Sequence, residues 1–270
     1  MREKLNKIRS LVRETEPLIH CITNPISINQ CANGVLAVGA RPVMAEHPSE
    51  VAEITETAKA LMLNIGNITD ARMESIPISA KTANKKAIPF MIDAVGIACS
   101  QHRRRFARSI IDNMHPDLIK GNYSEITALC NREYKSEGVD ADKTVSAETV
   151  ERAAIELAKK YNCVILASGK TDIVTDGRRF VRINNGTPML SRVTGTGCLL
   201  GALCACYMSV CNDMDAAVCA CVVLGICGEL AETDKGTGSF AVGLMDKLSL
   251  LKDEELSERI KTEEKSIEGI

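Results

Sequence analysis

The chain has 270 residues, 45% of them hydrophobic, and a formal net charge of −2. That charge gives no global field to draw nucleic acid or an anionic membrane, and no Trp with four Phe and four Tyr is too few aromatics for a base-stacking surface. Twelve cysteines in a chain long enough to build its own core, behind a charged opening MREKLNKIRS with no apolar signal region, point to a reducing, cytoplasmic compartment rather than a disulfide framework.

Short apolar runs alternate with helix-length segments. PLIHCIT (17–23) predicts a strand, and SINQCANGVLAVGA after it a helix. RPVMA (41–45) predicts a second strand, and His47-Pro48-Ser49-Glu50 opens a helix to Ala58. LMLNIG (61–66), IPFMIDAVG (88–96), LIKGN (118–122) and CVILASG (163–169) predict further strands, each ending in glycine or polar residues, with helical segments between. This alternation is the pattern of a mostly parallel central sheet covered on both faces, a three-layer α/β/α architecture. DIVTDGRRFVRINNG (172–186) differs, because two alternating runs flank Asp176-Gly177; it predicts a hairpin forming an antiparallel edge.

Beyond residue 195 the pattern is helical throughout, over 197–211, 214–231 and about 238–251. The run AAVCACVVLGICG (216–228) is too short to span a bilayer and reads as a buried helix. Cys204/Cys206 and Cys219/Cys221 do not share a helix face, so they read as small core residues rather than zinc ligands. The charged ending, about 252–270, predicts a solvated helix or a frayed tail. With no linker, repeat or low-complexity boundary, one domain over 1–270 is expected.

In open α/β sheets ligands bind beyond the carboxyl ends of the parallel strands. The groups expected there are Thr23-Asn24, Met44 with Glu46-His47, Asn64-Gly66, Asp93, Lys120-Gly121-Asn122 with Glu125, and Ser168-Lys170. Thr194-Gly195-Thr196-Gly197 then runs into a helix at Cys198. Side-chain-poor residues let backbone N–H groups approach a ligand closely, and the helix start adds its positive dipole end. Such amides suit phosphate oxygens. Gly-rich strand-to-helix turns also occur as plain punctuation, and neither GxxxxGK[ST] nor GxGxxG is present.

LIHCITNPISINQCANGVLAVGARPVMAEHPSE (18–50), KGNYSEI (120–126), IVTDG (173–177), VTGTGCLLGAL (193–203) and GTGSFAVGLMD (236–246) together resemble hydroxyethylthiazole kinase, a thiamin-salvage family of the ribokinase-like superfamily. The resemblance covers about residues 15 to 250. It implies a ribokinase-like fold and a homotrimer with active sites between subunits. It also implies ATP- and Mg2+-dependent phosphorylation of the hydroxyethyl alcohol of 4-methyl-5-(2-hydroxyethyl)thiazole.

Carried over by position, the resemblance makes Gly195, Thr196 and Gly197 the anion hole over the transferring phosphate, with Gly195 also near the thiazole. Cys198 stands where related enzymes carry a catalytic aspartate. Met44 matches a thiazole-contacting methionine, and Asn24 lines the same pocket. Lys120 and Ser168 fall where an arginine and a threonine contact ATP, with Thr194 beside them. Asp93 and Glu125 match acids associated with magnesium and phosphates.

The chain departs from the family in places. Lys120 loses the bidentate fork of arginine. Ala94 replaces a proline, which is expected to loosen its loop. The segment IACSQHRRRF (97–106) departs most, and its three arginines read as a solvated helix face or as groups near phosphates. A cysteine base is chemically adequate, since phosphoryl transfer through a loose transition state asks little of one. Three rivals stay open from the residues alone: a kinase for another vitamin alcohol, a nucleotide- or metabolite-binding protein without turnover, and a cysteine-based redox or metal protein.

Overall fold

A computed structural model describes residues 1–131 and 146–267. The chain opens with α1 (Arg2–Thr15), β1 (Leu18–Ile22), α2 (Ile28–Ala37), β2 (Arg41–Val43), α3 (Val51–Thr57) and β3 (Ala60–Asn64). It continues through α4 (Asp70–Lys86), β4 (Phe90–Asp93), α5 (Gln101–Met114), β5 (Leu118–Asn122), α6 (Tyr123–Cys130), α7 (Ala147–Tyr161) and β6 (Val164–Ser168). A hairpin of β7 (Asp172–Thr175) and β8 (Arg179–Ile183) follows, then a 3₁₀ turn, α8 (Thr196–Met208), α9 (Met214–Leu230), α10 (Thr237–Leu250), α11 (Asp253–Arg259) and β9 (Thr262–Ser266).

Among the described residues nine strands form one sheet, in the order β2-β1-β3-β4-β5-β6-β7-β8-β9. The first six are parallel, and β7, β8 and β9 add antiparallel. The antiparallel hairpin turns at Asp176-Gly177 as its sequence predicts, with Gly177 at a φ of 83°.

Each face of the sheet carries its own core. One contains Leu5, Ile8 and Val12, spaced three and four apart on α1, packed with α2, α8, α9 and α10. The other is built with α3 to α7 around residues such as Ile76, Ile110 and Leu157. Helices α8 and α9 are buried almost all round, which explains their unbroken apolar sequence. Apart from half-exposed Cys198, their cysteines are buried in this core, and all twelve cysteines of the chain are free thiols. Deep burial pushes the thiols of Cys21, Cys204, Cys206, Cys219 and Cys221 well up, so these groups stay neutral.

The ending differs from the expected tail. Its first part is a helix, α11, anchored by buried Leu256, but residues 262–266 form a strand against β8. Ile267 is buried, and its N–H donates to the Arg178 carbonyl at 2.8 Å. The strand is hidden in the sequence because Thr-Glu-Glu-Lys-Ser lacks apolar alternation. Its pairing rests on backbone bonds and on cross-strand charge, Glu264 to Arg179 at 3.2 Å and Glu263 to Arg182 at 3.6 Å.

Candidate active site

Strand order arranges the candidate residues along one rim. Met44 follows β2, Asn24 follows β1, Asn64 ends β3, Asp93 ends β4, Lys120 lies in β5 and Ser168 ends β6. Adjacent strands are about 4.8 Å apart, so neighbours in this row meet and distant members do not. The first two turns of α8 pack over the middle of the row, where a Cβ on Gly201 would stand 3.5 Å from Asp93 Oδ2.

At the centre, Lys120 Nζ donates to both oxygens of Asp93, at 3.0 and 2.9 Å. Both residues are buried. Burial raises the Asp93 carboxyl against the downward pull of the Lys120 ammonium. Burial also works against the charged form of Lys120, yet Asp93, with help from Cys198 and Glu125, holds it above its ordinary value. The pair is therefore ionic and mutually dependent. Lys120 Nζ also lies 4.0 Å from where a Cβ on Gly197 would stand, which puts its charge beside the start of α8.

That helix start is shaped to present amides. Gly195 adopts a φ of 87°, a conformation that favours glycine, and no side chain caps the helix. The first helical bond runs from Leu199 N–H to the Gly195 carbonyl, leaving the earlier N–H groups as terminal donors. Gly197 is exposed. The Thr196 hydroxyl, by contrast, donates to the Leu190 carbonyl at 2.8 Å, with the Val193 carbonyl at 3.2 Å. Only the backbone of Thr196 faces the chemistry. Thr194 is exposed on the approach to this turn.

Cys198 Sγ accepts N–H bonds from the amides of Asn24 and Asn64, each at 3.2 Å. Asn64 also donates to Asp93 Oδ2 at 3.3 Å, joining the sulfur to the ion pair. Cys198, Asn24, Asp93, Lys120 and the turn at Gly195–Gly197 thus converge. Met44 and Ser168 flank the centre on opposite sides, half-buried, and the Ser168 hydroxyl donates to the Gly121 carbonyl at 3.4 Å.

Glu125 is placed differently from an open metal ligand. It closes a capping box at the start of α6, where Oε2 accepts from Asn122 N–H at 2.7 Å. Its Oε1 accepts from Gly96 N–H at 2.6 Å. Burial, with Asp93 adding repulsion, pushes its carboxyl up to about 7. Every oxygen of Asp93 and Glu125 already accepts a hydrogen bond, and among the described residues no three potential ligands gather for a metal. The two acids suit magnesium held through waters and phosphate oxygens, not direct protein coordination.

Two departures resolve physically. Ala94 is not a loosening substitution, because its N–H donates to the Lys120 carbonyl at 2.8 Å, a bond that proline could not make. Of the three consecutive arginines only Arg105 is fully exposed; Arg104 is buried and donates to the carbonyls of Ile97 and Ala98 at 2.9 and 3.1 Å. It locks the loop after β4 and is turned away from solvent.

Three further side chains support the rim. Asn64 was legible only as a strand-end amide. His20, inside apolar PLIHCIT, pairs with the Ala45 carbonyl at 2.9 Å and so braces the segment after Met44; a polar residue in a buried strand was its signal. Arg72 joins Glu46 at 3.2 Å and donates to the Gly66 carbonyl at 3.0 Å, tying two rim loops together. Nothing local in its helix announces it. A separate cavity of about 290 Å3, lined by residues including Asp117, Asn162 and Asp213, lies at the amino-terminal ends of β5 and β6, away from this rim.

Comparison with known proteins gives the same picture. A model of the hydroxyethylthiazole kinase family matches residues 9–254. The chain is 44% identical to hydroxyethylthiazole kinase 2 of Clostridium botulinum over 261 residues, covering 94% of this chain and 98% of the relative. It superposes on a solved hydroxyethylthiazole kinase of Pyrococcus horikoshii OT3 with a TM-score of 0.90 and 33% identity, over 98% of this chain and 100% of that one. A ribokinase-like superfamily protein of Enterococcus faecalis V583 shares the fold, with a TM-score of 0.59 at 12% identity over 86% and 87% of the two chains. In sequence over most of its length, and in fold, the chain belongs to the hydroxyethylthiazole kinase family.

Proposed function

We propose that the chain transfers the γ-phosphoryl group of ATP to the hydroxyethyl alcohol of 4-methyl-5-(2-hydroxyethyl)thiazole, giving the thiazole phosphate for thiamin salvage. The observation that carries this reading is the meeting of Cys198 and the uncapped start of α8 with the buried Asp93–Lys120 pair. An acceptor alcohol at the sulfur and a phosphoryl group over the helix start would then be adjacent.

Thiazole occupies the side of the rim near Asn24 and Met44, and the nucleotide the side near Lys120, Ser168 and Thr194. The alcohol oxygen attacks the γ-phosphorus as the bond to the β-bridging oxygen breaks and ADP leaves. The alcohol proton passes late to Cys198 Sγ and then to water. The amides at Thr196, Gly197 and Cys198 receive the charge on the transferring oxygens. When bound beside Asp93 and Glu125, Mg2+ supplies charge neutralisation on the phosphates. Lys120 adds its positive charge beneath Gly197.

In this reading residues 1–270 act as one kinase domain in a cytoplasmic homotrimer. Exposed Leu36 on α2 and Val242 on α10, with Ile26 just before α2, supply apolar surface for the contact, α2 and α10 being packed neighbours. Among the described residues no helix is long and apolar enough to cross a membrane. Light scattering on the eluting protein tests the trimer, and a monomer that stays active would overturn it.

The deciding experiment measures ADP release with ATP and Mg2+, with and without hydroxyethylthiazole. Thiazole-dependent release that disappears with EDTA is expected. ATP binding without release across vitamin alcohols would replace this reading with that of a nucleotide-binding protein.

A further inference from the structure

We infer that Asn64 and Asn24 are positioning residues for the known chemistry, an amide cradle that fixes Cys198 Sγ as a hydrogen-bond acceptor and leaves its remaining valence for the acceptor hydroxyl. The inference rests on the reading that Cys198 faces the alcohol. Its geometry stands independently.

Both amides are fixed in orientation by backbone groups. Asn24 Oδ1 accepts the N–H groups of Ile26 and Ser27, at 3.1 and 3.2 Å. Its Nδ2 therefore points the other way, to Cys198 Sγ at 3.2 Å and Asn64 Oδ1 at 3.4 Å. Asn64 Oδ1 accepts Gly66 N–H at 2.8 Å, which turns Nδ2 toward Cys198 Sγ and Asp93 Oδ2. Flipping Asn64 would set its oxygen against the Asp93 carboxylate and its N–H groups against Gly66 N–H. The network forbids the flip. Both side chains are buried, so water cannot substitute for these partners.

The sulfur consequently sits between two donors, one from the loop after β1 and one from the end of β3. With both amides donating to the sulfur, any S–H must point away from them. Cys198 is the half-exposed cysteine at this rim, so the free side of the sulfur is the side a substrate enters.

Asn64→Asp and Asn24→Asp test the cradle, because each keeps an oxygen for the backbone N–H groups and removes the donor to sulfur. Cys198 is followed by the mass of its peptide after iodoacetamide treatment at pH 7.5. Alkylation of Cys198 is expected to slow about tenfold in each variant, the scale of one lost hydrogen bond at the sulfur. In Asn24→Asp, which leaves Asp93 its Asn64 donor, kcat should fall by a similar factor with the KM for ATP within about twofold, since the groups on the nucleotide side keep their partners. Asp variants that match the parent in both readouts would reduce the asparagines to backbone supports and overturn the inference. If Asn64→Asp does not fold, Asn24→Asp answers the same question. Slowed alkylation in a protein with no thiazole-dependent turnover would keep the cradle and sink the kinase reading.

Discussion

Asp93 and Lys120 stand opposite each other in register on β4 and β5, and their side chains close a buried ion pair at 2.9 Å. Neither charge has a comparable partner if the other leaves. Lys120→Met should lower unfolding free energy by about 3–5 kcal/mol, the usual penalty for an orphaned buried charge. Adding Asp93→Asn should recover part of that loss. Urea titrations of the two single variants and the double variant check the coupling, and additive losses would contradict it.

Glu125 gives a pH signature. Its carboxyl titrates at about 7 in the folded chain against an ordinary 4.5. Between those values the folded chain holds a proton that the unfolded chain has shed. This contribution to stability therefore falls as pH rises from 4.5 to 7, by about 3 kcal/mol in all, and is flat above. Glu125→Gln should be less stable overall, because one backbone N–H loses its acceptor, yet should lack this slope. Urea midpoints from pH 5 to 8 in parent and variant provide the comparison.

The start of α8 separates folding from turnover. Gly197 has open space around it, with Lys120 Nζ at 4.0 Å as its near neighbour. Gly197→Val should keep the melting temperature within about 3 °C while turnover falls about 100-fold, the scale of a lost oxyanion donor. Gly195→Ala should lower both, because the residue has a positive φ and its Cβ would press on Gln30 Oε1. Melting curves and ADP release distinguish the two.

Removal of residues 261–270 tests the last strand. Arg179 and Arg182 would lose Glu264 and Glu263, the apolar packing of Ile267 would be lost, and the edge of β8 would be bare. Loss of about 2 kcal/mol or more is expected from the buried side chain and backbone pairing, with concentration-dependent scattering from edge association. An equally stable, monodisperse truncation would show that β9 is dispensable.

The parallel core was legible because its signals are local. Apolar runs such as CVILASG and their polar ends mark each strand, and Asp176-Gly177 marks the hairpin. The rim was legible by the same rule, since strand ends name Asn24, Asp93 and Lys120. What escaped depends on partners far away in sequence. Strand β9 needs the arginines of β8 to make sense of its charges. Arg72 is a surface-type residue until Glu46 and Gly66 close around it, and Arg104 is one of three like residues until the loop after β4 folds onto it. Glu125 carried a recognisable local capping pattern, but its second bond, to Gly96, lies 29 residues away. That long-range bond sets it apart from an open ligand.

Because neighbouring rim residues hang from separate parallel strands, the spacing between the proposed acceptor pocket and the proposed phosphate site is counted in strands, not in loop residues. Loops at the β1–β2 side can lengthen, shorten or change character without moving Asp93, Lys120 or the start of α8. On the proposed assignment the architecture is modular in that sense: the sheet would act as a ruler, with alcohol choice at one end and nucleotide grip at the other. Redesign for a bulkier alcohol belongs in the segments around Asn24–Ile26 and Met44–Glu46, where it can proceed while the transfer machinery keeps its gauge.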